Sequence, residues 1–531
     1  QIFDHFRQTE TSKPNTNPFT QNDQKSEQQS GQQNHDIQHK FNIVNLTNIF
    51  TSQLVGTIAE QLMVVMGQNL AIFIQVFLFG ASFLENYVVS FCLLEIGSTI
   101  IQKAVAQSAS CDYQKRMLDE KHNDNDILIP HLYSLIFVGI LQFLGIAAYS
   151  LLDMQFQTSF IIKQVLAIAQ VPVQFAFFIR SQQLISFSML IKTFQWLMYM
   201  MIVNYAFHFY INSDWTFVID PAGSWDNGVF TDSNGQVQKI ATNAWDGIGY
   251  AIGTLTVSML MFSTVVKSKF ITPIKTRFDF NFEAFIPTKK MIKQIFKQMV
   301  CYLQLIPMYF SNPAAFLYLQ LVIKSTYSAI NYEQAYPKLF YFLITWHFCT
   351  IMSTACCDAF LAIAPGLIQL KKYDLLRSLT VRTLFFSLVG NGIISLLIVL
   401  ASGQFMSFIV PSAYMLANPY EEVVMRAAIV GVFHGVQIFP FYFCVAQGYQ
   451  FVPIAVGIIK LVFSMLFIKF QQSTVGDGGN PMYPMFYEEV SGVIIGVVLL
   501  IWIVYKFKSE MTVVVAKKAS KKLTTEEILG Q

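Results

Sequence analysis

An ionisable side chain inside an apolar stretch costs about 2.5–3.5 kcal/mol on membrane-insertion scales, so each one in this sequence is a candidate for function. Asp358 is foremost, in the run Thr354-Ala355-Cys356-Cys357-Asp358-Ala359, where small neighbours permit another helix to come close. Lys103 stands 255 residues earlier at the corresponding place in a short internal similarity. Facing each other across a cleft, the two could open and close with substrate or protons. The competing reading is a static ion pair, or a Lys103 that snorkels to the surface. Glu95 lies two turns before Lys103 and could bind a cation or simply hydrogen-bond a neighbouring helix. His347 and His434 are able to titrate near neutral pH, or to be satisfied core residues.

Arg180 and Lys192 fall near the inner ends of their spans, where anionic headgroups attract cations; Lys460 and Lys324 are weaker cases of the same kind. Cys356-Cys357 has no His or Cys at ligand spacing, so it reads as small-residue packing rather than a metal or redox site. The scan assigns no metal and no cofactor. Motifs for metallohydrolases, phosphate loops, nucleophile elbows and zinc deaminases are missing, and the chain is read as a non-enzyme.

The elements that would position these residues are set by composition. Of 531 residues, 54% are hydrophobic and 13% charged, against about 25% charged in soluble proteins, and the mean hydropathy is +0.46. Apolar runs of about 20 residues match a bilayer core crossed as helix. The sequence therefore predicts an all-α polytopic membrane protein. Net charge is +3, too balanced to suggest a nucleic-acid partner. Seven cysteines form no disulfide framework.

Residues 1–40 are a polar low-complexity arm that cannot repay its own ordering, and 41–61 an amphipathic lead-in, either interfacial or an extension of the first span. About 12 spans follow, near 62–84, 86–108, 131–153, 160–180, 185–209, 244–266, 298–324, 338–369, 383–410, 423–446, 450–470 and 490–507. Basic residues gather in alternate connections (Lys115, Arg116; Lys267 to Lys297; Lys371, Lys372) and in the 508–531 tail, while acids such as Asp214, Glu333, Glu421, Glu488 and Glu489 fall in the others. The positive-inside rule then puts both termini on the cytoplasmic or matrix side, so the Asn45-Leu46-Thr47 sequon should stay unglycosylated. Trp196, Trp346 and Trp502 read as lipid-facing or interfacial.

Six spans (62–266), a basic inside connector (267–297) and six more (298–507) suggest a 6+6 duplication. Its best local match sets Gly97-Ser98-Thr99 before Lys103 against Met352-Ser353-Thr354 before Asp358. An even count per half implies parallel repeats, with a cleft between two six-helix lobes.

This layout resembles the multidrug and toxin extrusion (MATE) transporters and the related polysaccharide and lipid-linked oligosaccharide flippases. Phe178-Ile179-Arg180-Ser181-Gln182-Gln183 and the stretch from Cys444 to Ala455 are similar to paired segments of that family, over about residues 55–507. The resemblance implies a secondary transporter of an organic cation, amphiphile or lipid-linked substrate, working by alternating access. It also implies a coupling acid in the first or seventh span, but the first offers only Gln68, Asn69 and Gln75, and the seventh no acid.

That departure, the polar arm and a start at Gln1 compatible with presequence removal support a second reading. In it the chain is a transport-inactive accessory subunit of a large membrane complex such as a mitochondrial respiratory complex, held by residues 1–40 and bound phospholipid. The membrane is then the mitochondrial inner membrane, with plasma or vacuolar membrane as the alternative.

Overall fold

The computed structural model describes residues 46–51, 53–58, 61, 62, 65, 111, 133, 224–226, 229–231, 237–239, 286–303, 306–326, 329–407, 415, 419–449, 451–475, 483 and 485–506. Glu95, Lys103, Arg180, Lys192 and Trp196 lie outside them, as do the 1–40 arm and most of the first six expected spans.

The acidic connection after the fifth expected span, anticipated only as a loop, carries a small antiparallel meander. Strands β1 (Ser224–Asp226), β2 (Val229–Thr231) and β3 (Val237–Lys239) pair in that order, Asp226 opposite Val229 and Thr231 opposite Val237. Asn227-Gly228 separates β1 from β2 in the sequence, the strongest short signal for a two-residue hairpin.

The remaining elements are helices. They are α1 (Lys289–Leu303), α2 (Ile306–Thr326), α3 (Ala329–Cys349), α4 (Ile351–Leu361), α5 (Ala364–Gln369), α6 (Tyr373–Leu400), α7 (Ser402–Ser407), α8 (Glu421–Gln447), α9 (Phe451–Val475) and α10 (Met485–Lys506). Among the described residues five helical stretches are long and apolar enough to cross a membrane: Ile351–Gln369, Tyr373–Leu400, Glu421–Gln447, Phe451–Phe470 and Met485–Lys506. α2 covers the seventh expected span and packs against α9.

The core is largely apolar, but on two helices the buried row carries small and polar residues while the outward face is apolar. On α6 the buried positions Thr383, Ser387, Asn391 and Ser395 recur every four residues, while Val381, Phe385, Val389, Ile393 and Leu397 face out. On α9 the buried row runs Pro453, Gly457, Lys460, Ser464, Ile468, with Ile458, Ile459, Val462, Phe463 and Leu466 exposed. Spacings of three and four place each row on one helix face.

The eighth expected span (338–369) is built from α3, α4 and α5 in succession. Thr350 N–H reaches Trp346 O at 3.0 Å and Thr354 N–H reaches Thr350 O at 3.1 Å, so the backbone ladder carries from α3 into α4. Asn391 of α6 ties the start of α4 to α8. Its Oδ1 accepts from Ser353 N–H at 3.1 Å, and its Nδ2 donates to Gly431 O of α8 at 2.9 Å. Gly431 and Gly435 lie on one face of α8; a Cβ on the first would overlap Cys349, and one on the second Ser387. The three backbones meet there because these residues are small. α8 ends at Gly448, in the left-handed region at φ 84°, where Gly448 and Tyr449 N–H groups both return to Cys444 O at 2.9 Å, a glycine cap.

The lead-in, helical at 46–51 and 53–58, is not an interfacial helix. Its apolar face of Leu46, Phe50 and Leu54 is buried against Ala355, Phe360, Leu376, Leu379 and Phe443, and Phe50 meets Phe386 with ring centroids 6.2 Å apart. The first helical residues thus pack on the same body as α4, α6 and α8.

Candidate functional site

Two polar constellations interrupt this apolar packing. The first is where α8, α9 and α10 meet. Lys460 is 3% exposed, Glu488 2% and Glu489 0%. Ser464, one turn beyond Lys460, donates to Glu488 Oε1 at 2.9 Å. The Gln437 amide lies 3.1 Å from His434 Nδ1; turned so that its nitrogen faces acceptors and its oxygen faces a donor, it donates from Nε2 to Glu489 Oε2 at 3.0 Å and to His434 Nδ1 at 3.1 Å and accepts from Lys460 Nζ, the orientation that satisfies every group around it. The Glu488 and Glu489 carboxyls also hydrogen-bond each other, and the Lys460 charge acts on both.

The packing around this cluster is tight. A Cβ on Gly492, one turn after Glu488, would overlap Gln437 and stand 2.9 Å from Lys460 Cε. Pro440 inside α8 has no N–H for Val436 O, and Gly496 of α10 presses its backbone against that carbonyl. The Trp346 indole stands edge-on to His434 with centroids 5.0 Å apart, and also lies against the His347 ring at 5.2 Å and the Phe316 ring at 6.4 Å.

These positions correct three expectations. Glu488 and Glu489 are not loop residues, because the last helix starts at Met485 rather than 490. Lys460 is not a lipid anchor, since its ammonium is enclosed among side chains. Trp346 is not lipid-facing but 9% exposed within the protein. A signal was present in the sequence: Lys460 and Ser464 four apart, and His434 and Gln437 three apart, each put polar groups on one face of an apolar helix.

The second constellation surrounds Asp358, half-buried on α4. Tyr442 OH of α8 donates to its Oδ1 at 3.3 Å, and Gln61 Nε2 of the lead-in to its Oδ2 at 3.4 Å. One turn away Thr57 Oγ1 donates to Ala355 O at 3.0 Å, and at the far end Arg382 of α6 donates to Thr47 Oγ1. Asp358 therefore sits where the lead-in helix is fastened to α4, α6 and α8. His347 is half-buried beside Trp346, and His434 belongs to the first cluster; neither approaches Asp358 through a contact described above. Cys356 and Cys357 are buried free thiols. Among the described residues, no three His, Cys, Asp or Glu side chains are grouped to hold a metal ion.

No protein-family model matches the chain, and no curated protein matches it by sequence. Solved structures do. A multidrug resistance MATE family transporter of the MOP superfamily in an outward-facing conformation superposes with TM-score 0.66 at 10% identity, over 87% of this chain and 96% of that one. A MOP superfamily transporter from Pyrococcus furiosus gives 0.65 at 10% identity over the same shares. The eukaryotic MATE transporter AtDTX14 gives 0.61 at 11%, again over 87% and 96%. With apolar helices long enough to span a bilayer and near-complete coverage of these structures, the chain is an integral membrane protein with the all-α polytopic fold of the MATE transporters.

Proposed function

We propose that the chain is a secondary transporter that moves an organic cation, amphiphile or lipid-linked substrate by rocking one lobe (62–266) against the other (298–507). Both termini and the 267–297 connector lie on the inner side in this reading. The observation that carries it is the enclosed Lys460, Glu488 and Glu489 group, in a fold whose relatives transport. Two carboxyls in hydrogen-bond contact hold one proton between them. Lys460 beside them offsets the remaining carboxylate charge. Releasing the proton leaves a net negative charge in a low-dielectric interior, which favours a different packing of α8, α9 and α10. The sequence has no acid in the first or seventh span, and this pair supplies one in the last.

Asp358 has a separate part. It joins α4 to the lead-in helix, so breaking its bonds to Gln61 and Tyr442 would accompany opening on that side. Glu95 and Lys103 complete the cleft in this proposal, with His347 and His434 on the C-terminal side. The accessory-subunit reading draws no support from the fold.

The test is efflux of a fluorescent organic cation from liposomes containing the purified protein, with and without an imposed pH gradient. Wild type should transport faster with the gradient. Glu489→Gln should lose that dependence while keeping gradient-free exchange. Transport indifferent to the gradient in wild type would remove the coupling role.

A further inference from the structure

The Lys289–Leu303 helix has a feature that the transport reading leaves unused. It opens at Thr288, whose Oγ1 accepts from Met291 N–H at 3.2 Å and whose carbonyl accepts from Ile292 N–H at 2.9 Å, an N-cap arrangement. Lys289, Lys290, Lys293 and Lys297 all fall on one side of the helix, separated by steps of one, three and four. Met291, 9% exposed, turns toward the protein. Ile292 and Phe296, four apart and next to the lysine row, are instead 44% and 61% exposed, and Ile286 just ahead of the helix is 65% exposed.

Water is a poor solvent for that stripe. An apolar row bordered by lysines is the pattern of a helix lying in a membrane interface, with rings and aliphatic groups at the acyl boundary and ammonium groups at the phosphates. Only two residues separate α1 from α2, which covers an expected span, so α1 is held beside the bilayer. No acidic residue lies within α1 to neutralise the row, and charge complementarity then selects among lipids.

We propose that α1 is a binding surface for anionic phospholipid on the inner leaflet, with Lys289, Lys290, Lys293 and Lys297 contacting the headgroups and Ile292 and Phe296 the acyl boundary. The inner-leaflet placement rests on the topology proposed above; the lipid contact itself does not depend on transport. A basic residue near an anionic surface is worth about 1 kcal/mol, or roughly fivefold in affinity, and the effect falls away within a Debye length.

Native mass spectrometry of the full chain in mild detergent, with equal amounts of phosphatidylglycerol and phosphatidylcholine, measures this directly. Wild type should retain phosphatidylglycerol in preference at low ionic strength and lose most of that preference when ammonium acetate is raised about fivefold. Changing all four lysines to Gln should lower the preference by at least tenfold; changing Ile292 and Phe296 to Ser should lower total lipid retained but keep the headgroup preference. No preference in wild type overturns the proposal. So does an unchanged preference in the four-lysine variant, which would move the headgroup site to other cations such as Arg180 and Lys192. If the four-lysine variant is poorly produced, the pair Lys293→Gln with Lys297→Gln takes its place, and an unchanged preference there overturns the proposal equally.

Discussion

Lys460→Met gives the sharpest check on the buried cluster. Met keeps much of the apolar stem and removes the ammonium, leaving Gln437 Oε1 without its donor and two enclosed carboxyls without their cation. Removing one member of a buried charged group costs about 3–5 kcal/mol, because the remaining charge has no water to return to. In a unit of about 200 residues each kcal/mol is worth roughly 2–4 °C, so the melting midpoint in detergent should fall by roughly 6–20 °C. The double variant Lys460→Met with Glu489→Gln removes opposite charges together and should recover most of that loss. Scanning fluorimetry of wild type, both single variants and the double closes the cycle. The reasoning fails if Lys460→Met melts with wild type, or if adding Glu489→Gln brings no recovery. The double variant also separates stability from coupling: it should be folded and yet indifferent to a pH gradient.

Asp358→Asn keeps an oxygen for Tyr442 and, with the Gln61 amide turned over, a partner for Gln61; stability should change by no more than about 1 kcal/mol while substrate flux is lost, and normal flux would show that Asp358 is only a fastening. Gly492→Ala should cost about 1–3 kcal/mol, since its Cβ meets Gln437 and Lys460 in a region that is already full. Gly392→Ala has open space within 4 Å of the new Cβ and should be neutral or stabilising by up to about 1 kcal/mol, so equal effects at the two glycines would refute the close approach of α10 to α8.

The all-α polytopic class was legible because hydrocarbon thickness fixes the length of an apolar run, and six expected spans of the second half all contain observed helix. Their ends were less legible. A helix extends past the bilayer wherever its backbone bonds continue, so Ala329 begins a helix nine residues before the expected span at 338. The hairpin at 224–231 was written in Asn227-Gly228, but acidity made the connection read as plain loop. Asp358 stands out in the sequence as a single acid in a run of small residues, but whether it serves transport or only fastens helices is not written there. The lead-in reads as amphipathic, and of its two alternatives, interfacial helix or extension of the first span, the buried face of Leu46, Phe50 and Leu54 removes the first, since amphipathicity states that one face is buried but not against what.

The buried cluster escaped for a reason particular to membrane proteins. Charge counting assigns acids near the end of an apolar run to the adjacent loop, and Glu488 and Glu489 stand immediately before the run that starts at 490. Lys460 read as a snorkelling lysine because a single span gives no account of what lies beside it. On a single helix these residues look peripheral; only the packing of α8, α9 and α10 encloses them. The four-residue rows on α9 and α10 contain the missing information: Lys460 follows Gly457 and precedes Ser464, and Glu488 precedes Gly492 and Gly496, all buried. In a protein dissolved in lipid small and polar residues gather on buried faces, so a charged residue in register with glycines and serines belongs to the interior. Applied to α6, the same rule selects Thr383, Ser387, Asn391 and Ser395, the row that faces α8 through Asn391 and Gly431. Register with small residues, more than distance from the end of an apolar run, separates an interior charge from a surface one.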